Sequence, residues 1–182
     1  MYGKLSIPNK IYRSQEGDWY ILEINFPNGS QWISKISFND VEKVKKYHWS
    51  ISGPKNNQYI VCKLYKSPVI RLHRYLMNVS DPKILVDHIN GDRFDNRQEN
   101  LRTCTKSQNN MNRKKTPTSF LKGIHKIKNI SGKISYQVRI KKDYKSYCFG
   151  TFYNLKDALE CYNINVVKLH GSFAVLHEVH NA

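Results

Sequence analysis

One stretch constrains this chain more than any other. Residues 84–110 are polar and turn-rich in the middle, yet a strand signal and a helix signal frame them. Ile84-Leu85-Val86 reads as a buried strand that runs straight into two polar residues, Asp87 and His88. Asn90-Gly91-Asp92 is a turn. Thr105-x-x-Gln108 has the form of a capping box, in which the Thr hydroxyl takes the open amide of Gln108 and the Gln side chain reaches back to the Thr backbone; a helix is expected to start there. Asn109 falls in its first turn, with Asn112 and Arg113 on the same face. The order of signals is strand, loop, short strand, helix. Adjacent strand residues point to opposite faces, so Asp87 and His88 serve one site only if the strand ends or bends at that point, which Asn90-Gly91 allows.

The flanks differ in texture. Upstream, residues 19–24 and 31–34 read as strands around the turn Pro27-Asn28-Gly29. A helix is expected over 39–47, with Val41, Val44 and Tyr47 on one face, then strands over Tyr59–Tyr65 and Val69–Leu72. Residues 114–119 mix Pro, Thr and charge without apolar periodicity and read as a linker. Beyond it come strands near 122–128, 134–141 and 146–152. A helix over Leu155–Leu169 follows, capped by Asn154 and stopped at Gly171. The fold class is α+β. A domain of residues 1–113 divides into a β-rich lead-in (1–83) and the strand–loop–strand–helix unit (84–113), and a second domain spans 120–182.

Charge points to the partner. Thirty Lys and Arg stand against 14 Asp and Glu, a net +16, with a pI near 9.7. That balance is the electrostatic footprint of a nucleic-acid binder. No apolar run approaches the ~20 residues that cross a bilayer, and the first residues lack the apolar core of a secretion signal. A soluble, cytoplasmic protein without membrane contact is expected. The four cysteines, Cys62, Cys104, Cys148 and Cys161, form no CxxC pair, so they read as small buried or half-buried side chains in a reducing compartment rather than as zinc ligands or disulfides.

Asp87, His88 and Asn109 are a chemically coherent set. Phosphodiester hydrolysis is slow because water is a weak nucleophile and charge builds on the phosphate. A hard cation on a carboxylate and an amide oxygen offsets that charge, and a neutral imidazole beside it takes the water's proton. The run Leu85-Val86-Asp87-His88-Ile89-Asn90-Gly91-Asp92…Asn100-Leu101-Arg102…Gln108-Asn109 resembles the HNH endonuclease family, especially phage-borne homing-type members, whose fold is a ββα-metal finger. The lead-in segments Ile36–Asp40, Lys46–Trp49 and Arg71–Met77 look similar too, so the likeness covers roughly residues 36–113. It implies His88 as general base and Asp87 and Asn109 as ligands of one divalent metal. It makes Asn100 the residue that braces the loop and orients the base, and gives Arg102 a hold on the loop or on a phosphate. Asn109 replaces the family's third His, which favours Mg²⁺ or Mn²⁺ over zinc. No small-molecule cofactor is expected. His73 is expected to pack against the finger or touch a phosphate rather than bind metal. The host would be a bacterium or a phage-infected cell, and the enzyme a monomer or a dimer.

Residues 120–152 hold eight Lys and Arg against a single acid, Asp143. Alternation sends Tyr136, Val138 and Ile140 inward and Gln137, Arg139 and Lys141 outward. The segment resembles the plant ethylene-response-factor DNA-binding domain, a three-stranded sheet on one helix, through Lys122-Gly123-Ile124, Tyr136–Lys141, Phe149-Gly150-Thr151-Phe152, Ala158, Tyr162 and His170-Gly171. The likeness implies double-stranded DNA on the outer sheet face, touched by Lys122, His125, Lys126, Gln137, Arg139 and Lys141, with Arg113 nearby. Cys148 stands where plant members carry a contacting Trp and Arg139 where they carry an acid, so their target preferences do not transfer. The rival readings are a non-catalytic, sequence-specific DNA-binding protein with a disused finger, and a protein that binds or cuts RNA.

Overall fold

The structure, a computed structural model, describes residues 8–113 and 120–179. The linker expected at 114–119, the first residues on which the leader-peptide reading rests, and His180 lie outside the described residues. Contacts divide the chain into residues 1–103 and 104–182, and each unit has its own core. Sequence texture put the break at 114–119; packing puts it ahead of the helix at 106–112. That helix is tied within the second unit. Met111 is buried, Ser107 Oγ donates to Asp143 at 2.7 Å, and the Lys122 ammonium donates to the Met111 carbonyl.

In the first unit, β1 (Lys10–Arg13), β2 (Tyr20–Asn25) and β3 (Gln31–Ile36) form an antiparallel meander. The expected turn closes at Phe26 and Ser30, with Gly29 at φ +80°. Leu22, Ile24 and Ile36 alternate onto the core. A 3-10 turn (Phe38–Asp40) leads into α1 (Val41–Val44), shorter than the helix expected over 39–47. The reason is Trp49. Its indole nitrogen donates to the Val44 carbonyl at 2.8 Å, capping the helix. Asn9 brackets the Trp49 backbone on both sides.

Next comes a second meander, β4 (Ser50–Ser52), β5 (Tyr59–Cys62) and β6 (Ile70–Arg71). The chain then turns into α2 (Leu72–Leu76), which begins on the last residue of the strand expected over Val69–Leu72. Leu72 and Leu76, one helical turn apart, both enter the core. Strand β7 (Leu85–His88) pairs with β9 (Leu101–Cys104). Between them a two-residue strand, β8 (Asp95–Asn96), docks parallel on β3, pairing Lys35 with Asp95 and Ile36 with Asn96. The loop between β7 and β9 is thereby the fourth strand of the lead-in sheet.

The second unit opens with α3 (Lys106–Asn112), and the capping box forms as expected: Gln108 N donates to Thr105 Oγ1 at 3.2 Å and Thr105 N to Gln108 Oε1 at 2.9 Å. β10 (Ile124–Lys128), β11 (Ile134–Lys142) and β12 (Lys145–Phe152) form an antiparallel sheet packed on α4 (Leu155–His170). Asn154 caps α4, and Gly171, at φ +55°, ends it. Gly123 is needed for space as well as for its φ of +72°, since a Cβ there would meet the Tyr162 ring at 2.3 Å. No helix among the described residues is long and apolar enough to cross a membrane.

Candidate active site and basic face

Asp87 and His88 close β7, and both are buried, at 8% and 5% exposure. The strand ends at His88, where Gly91 N donates to the His88 carbonyl at 2.9 Å and turns the chain. Gly91 sits at φ +75°, a conformation that β-carbons resist. Asn90 and Asp92 lock the turn with side-chain acceptors for the amides two residues on, at 2.8 and 2.9 Å. The condition set by strand geometry, that β7 stop at this pair, is met.

Two contacts fix the pair. Arg102 on β9 grips Asp87 Oδ2 through Nε at 3.1 Å and Nη2 at 3.0 Å. His88 Nε2 meets Asn96 Oδ1 at 3.2 Å in a buried contact. The orientation of the Asn96 amide follows from its other partners. Its nitrogen donates to the Arg93 carbonyl, an acceptor only, at 3.2 Å and to Ser34 Oγ at 3.0 Å. Ser34 Oγ is itself spent as a donor to the Phe94 carbonyl at 2.8 Å. Asn96 therefore presents its oxygen to His88, and Nε2 carries the proton. In the neutral ring the basic lone pair then lies on Nδ1. Burial pushes the His88 pKa below its ordinary value, against the pull of the Asn96 bond and the Asp87, Asp92 and Asp95 carboxylates. The ring is neutral at pH 7, as a base must be.

Asn100 is buried and ties the loop together. Its oxygen accepts from Asn90 N at 3.0 Å, and its nitrogen donates to Asn90 Oδ1 at 3.0 Å and to the Asp95 carbonyl at 2.8 Å. It braces the loop, while the residue on the His88 ring is Asn96, which the sequence reading passed over. Asp95 is buried too. Burial would raise its carboxyl, but the two-pronged hold of Arg97 at 2.8 Å on each oxygen outweighs it and keeps the pKa low. His73 packs its ring 5.1 Å from that of His88. Burial, His88 and the guanidiniums of Arg71 and Arg74 press its pKa down to about 3.

The metal question turns on donor chemistry. Among the described residues no three His, Cys, Asp or Glu side chains gather as a metal-holding group. Asp87 supplies one hard oxygen, anchored by Arg102, which suits a cation that keeps waters and substrate oxygens in its shell. Asn109, half-buried in α3, belongs to the second unit.

On the second unit's sheet, register decides which side chains share a face. His125 pairs with Gln137, so it lies with Gln137, Arg139 and Lys141 on the face away from α4. His125, Arg139 and Lys141 are exposed and Gln137 is half-buried. Two expected contacts are corrected. Lys126 pairs with Tyr136 and lies over the Phe120 ring at 5.8 Å, on the opposite face. Lys122 turns its ammonium to the Met111 carbonyl, and burial lowers its pKa to about 8; it is engaged inside the unit. Arg113 is exposed just after α3. His170 and His177 bond the carbonyls of Lys141 and Lys122, each at 2.8 Å, and serve packing. Of the cysteines, Cys62 and Cys104 are buried as expected, but Cys148 is exposed.

Residues 81–111 match the HNH endonuclease family, a span that holds Asp87, His88, Asn96, Asn100, Arg102 and Asn109. An uncharacterized HNH endonuclease of Acanthamoeba polyphaga mimivirus is 28% identical, over 93% of this chain and 90% of its own length. No solved structure matches the chain. The catalytic-looking pair at the end of β7 thus falls inside the segment of this chain that is similar to HNH endonucleases.

Proposed function

We propose that the chain is a metal-dependent, site-directed DNA endonuclease of the homing type. The observation that carries this reading is the setting of His88: buried, with Asn96 Oδ1 held against Nε2 by the other bonds of the Asn96 amide, an arrangement that favours the neutral ring with Nδ1 as its basic nitrogen. It stands beside a carboxylate clamped by arginine, in the segment that matches the HNH family.

His88 Nδ1 takes a proton from water as the water oxygen attacks phosphorus. The P–O3′ bond breaks, the 3′ oxygen is protonated from solvent, and the products are a 5′-phosphate and a 3′-hydroxyl. Asn96 keeps the ring from rotating and offsets the charge that the imidazolium acquires. Arg102 holds Asp87 at one rotamer, and Asn100 keeps the loop closed beneath them. A divalent cation, Mg²⁺ or Mn²⁺, would bind Asp87 and would neutralise the charge building on the phosphate and leaving oxygen. The family resemblance adds Asn109 as its second protein ligand.

The second unit supplies site choice in this reading. His125, Gln137, Arg139 and Lys141 form a basic face able to reach phosphates and base edges of duplex DNA. Its likeness to the ethylene-response-factor domain rests on sequence motifs and on the order of three strands and a helix.

The test is conversion of supercoiled plasmid to open circle or linear DNA in Mg²⁺, with and without EDTA, for wild type and His88→Ala. Cleavage that needs the metal and is lost in the variant supports the assignment, and the first product distinguishes nicking from double-strand cutting. Equal cleavage by His88→Ala would remove the base.

A further inference from the structure

We propose that Arg71 and Arg93 form a second phosphate site beside His88, which holds a backbone phosphodiester flanking the one that is cut. This deepens the nuclease reading and rests on it. Five groups from separate parts of the first unit form a connected series. Tyr59 on β5 stacks 5.4 Å from His73 on α2, and His73 lies 5.1 Å from His88 at the end of β7. Against the Tyr59 ring lie two guanidiniums, Arg71 at 5.3 Å and Arg93 at 5.0 Å. Arg93 is pinned there by a bond from Nη1 to the Asn56 carbonyl at 3.0 Å.

Among the described residues these two arginines have no acid partner, and neither is used up as Arg74 is, whose two terminal nitrogens go to the Ile84 and Asp81 carbonyls. Arg13, Arg97 and Arg102 each pair with a carboxylate. Among the described residues Arg71 and Arg93 pair with none. Two like charges gathered on one ring repel each other, and the electron-rich face of Tyr59 offsets only part of that. An anion between them removes the repulsion. A phosphate is the anion whose oxygens match two planar guanidinium forks. In this proposal a neighbouring phosphate of the strand cut at His88 would lie here, two rings along from the base.

The experiment is binding of a duplex DNA to the full chain carrying His88→Ala, over a series of salt concentrations, with Arg71→Gln, Arg93→Gln and the double variant. Phosphate contacts are read without knowing the target, because the electrostatic term is sequence-independent. Each lost contact should reduce the log–log salt slope by about 0.9. A fourfold rise in salt should then weaken the double variant roughly 12-fold less than the parent. Arg71→Lys and Arg93→Lys should restore most of the slope, which a purely structural role would not predict. Unchanged urea midpoints by tryptophan fluorescence show that the fold is intact. An unchanged slope in a folded double variant, with the parent binding normally, overturns this site and leaves the nuclease reading standing. A parent that shows no salt-sensitive DNA binding overturns both. Inorganic phosphate is added as a competitor: if it displaces DNA no better than chloride at equal ionic strength, the site belongs to the nucleic-acid backbone. Specific displacement, lost in the double variant, would assign it to free anions instead.

Discussion

Replacing Asn100 with alanine is the sharpest probe of how the loop holds the active site. Asn100 is 6% exposed and makes three side-chain bonds, two to Asn90 and one to the Asp95 carbonyl. Asn90 is exposed, so water can replace its two lost partners, at about 0.5–1 kcal/mol each. The Asp95 carbonyl lies in a buried contact, and leaving it unsatisfied costs about 1–3 kcal/mol. The total is about 2–5 kcal/mol, a large share of an ordinary domain's stability. Asn100→Asp should fare no better. It keeps an acceptor for Asn90 N, but sets a carboxylate oxygen against the Asp95 carbonyl, close to the Asp95 carboxylate. All three tryptophans, Trp19, Trp32 and Trp49, lie in the first unit, so tryptophan fluorescence in urea reports that unit's unfolding without interference from the second. A loss below about 1 kcal/mol for Asn100→Ala, or an Asn100→Asp variant as stable as wild type, would refute the argument that these bonds close the loop.

His88→Ala should lower cleavage by a factor of about 10²–10⁴, the usual contribution of a positioned base, while DNA binding measured by gel shift stays within twofold. Asn96→Asp should move the acid limb of the pH–rate profile to higher pH, because a carboxylate on Nε2 stabilises the imidazolium; an unmoved limb would break the link between Asn96 and the base. The first unit should lose stability in mild acid. His73 and His88 are depressed on folding, so between about pH 3 and 6.5 the unfolded chain binds more protons and stability falls as pH falls. From His73 alone the loss from pH 6.5 to 5 is about 2 kcal/mol, and a urea series across that range should show it shrink in His73→Phe. A double change of Arg139 and Lys141 to Gln should weaken DNA binding and reduce its salt slope by about 1–2; a slope equal to wild type would take the sheet face out of DNA contact.

What the sequence made legible is what local rules determine. The Thr105–Gln108 capping box, the turn at Asn90-Gly91-Asp92 and the caps of α4 depend on residues two to four apart, and all form. Alternation along 136–141 assigns the faces of β11, because period two survives in any flat sheet. Strand β8 was not legible: Asp95-Asn96 is two polar residues long, and its partner is β3, some sixty residues earlier. Asn96 was missed for the same reason, since its role depends on Ser34 and the Arg93 carbonyl arriving together. Helix α2 went unread: the strand expected over Val69–Leu72 takes in only its first residue, and the Leu72–Leu76 spacing that marks the helix begins where that apolar run ends. Lys126 was counted among the DNA contacts that the resemblance implies, and register places it opposite Tyr136. Charge suggests a partner, but cross-strand pairing decides which side of the sheet meets it.

The central claim is that His88 is a neutral base with its lone pair on Nδ1, and nitrogen-15 NMR of the histidine rings tests it most directly, without knowledge of the DNA target. The account predicts a pyrrole-type Nε2 and a pyridine-type Nδ1 for His88 at pH 7, with the pattern lost in Asn96→Ala. A proton on Nδ1 at pH 7, or a ring already charged there, would contradict it.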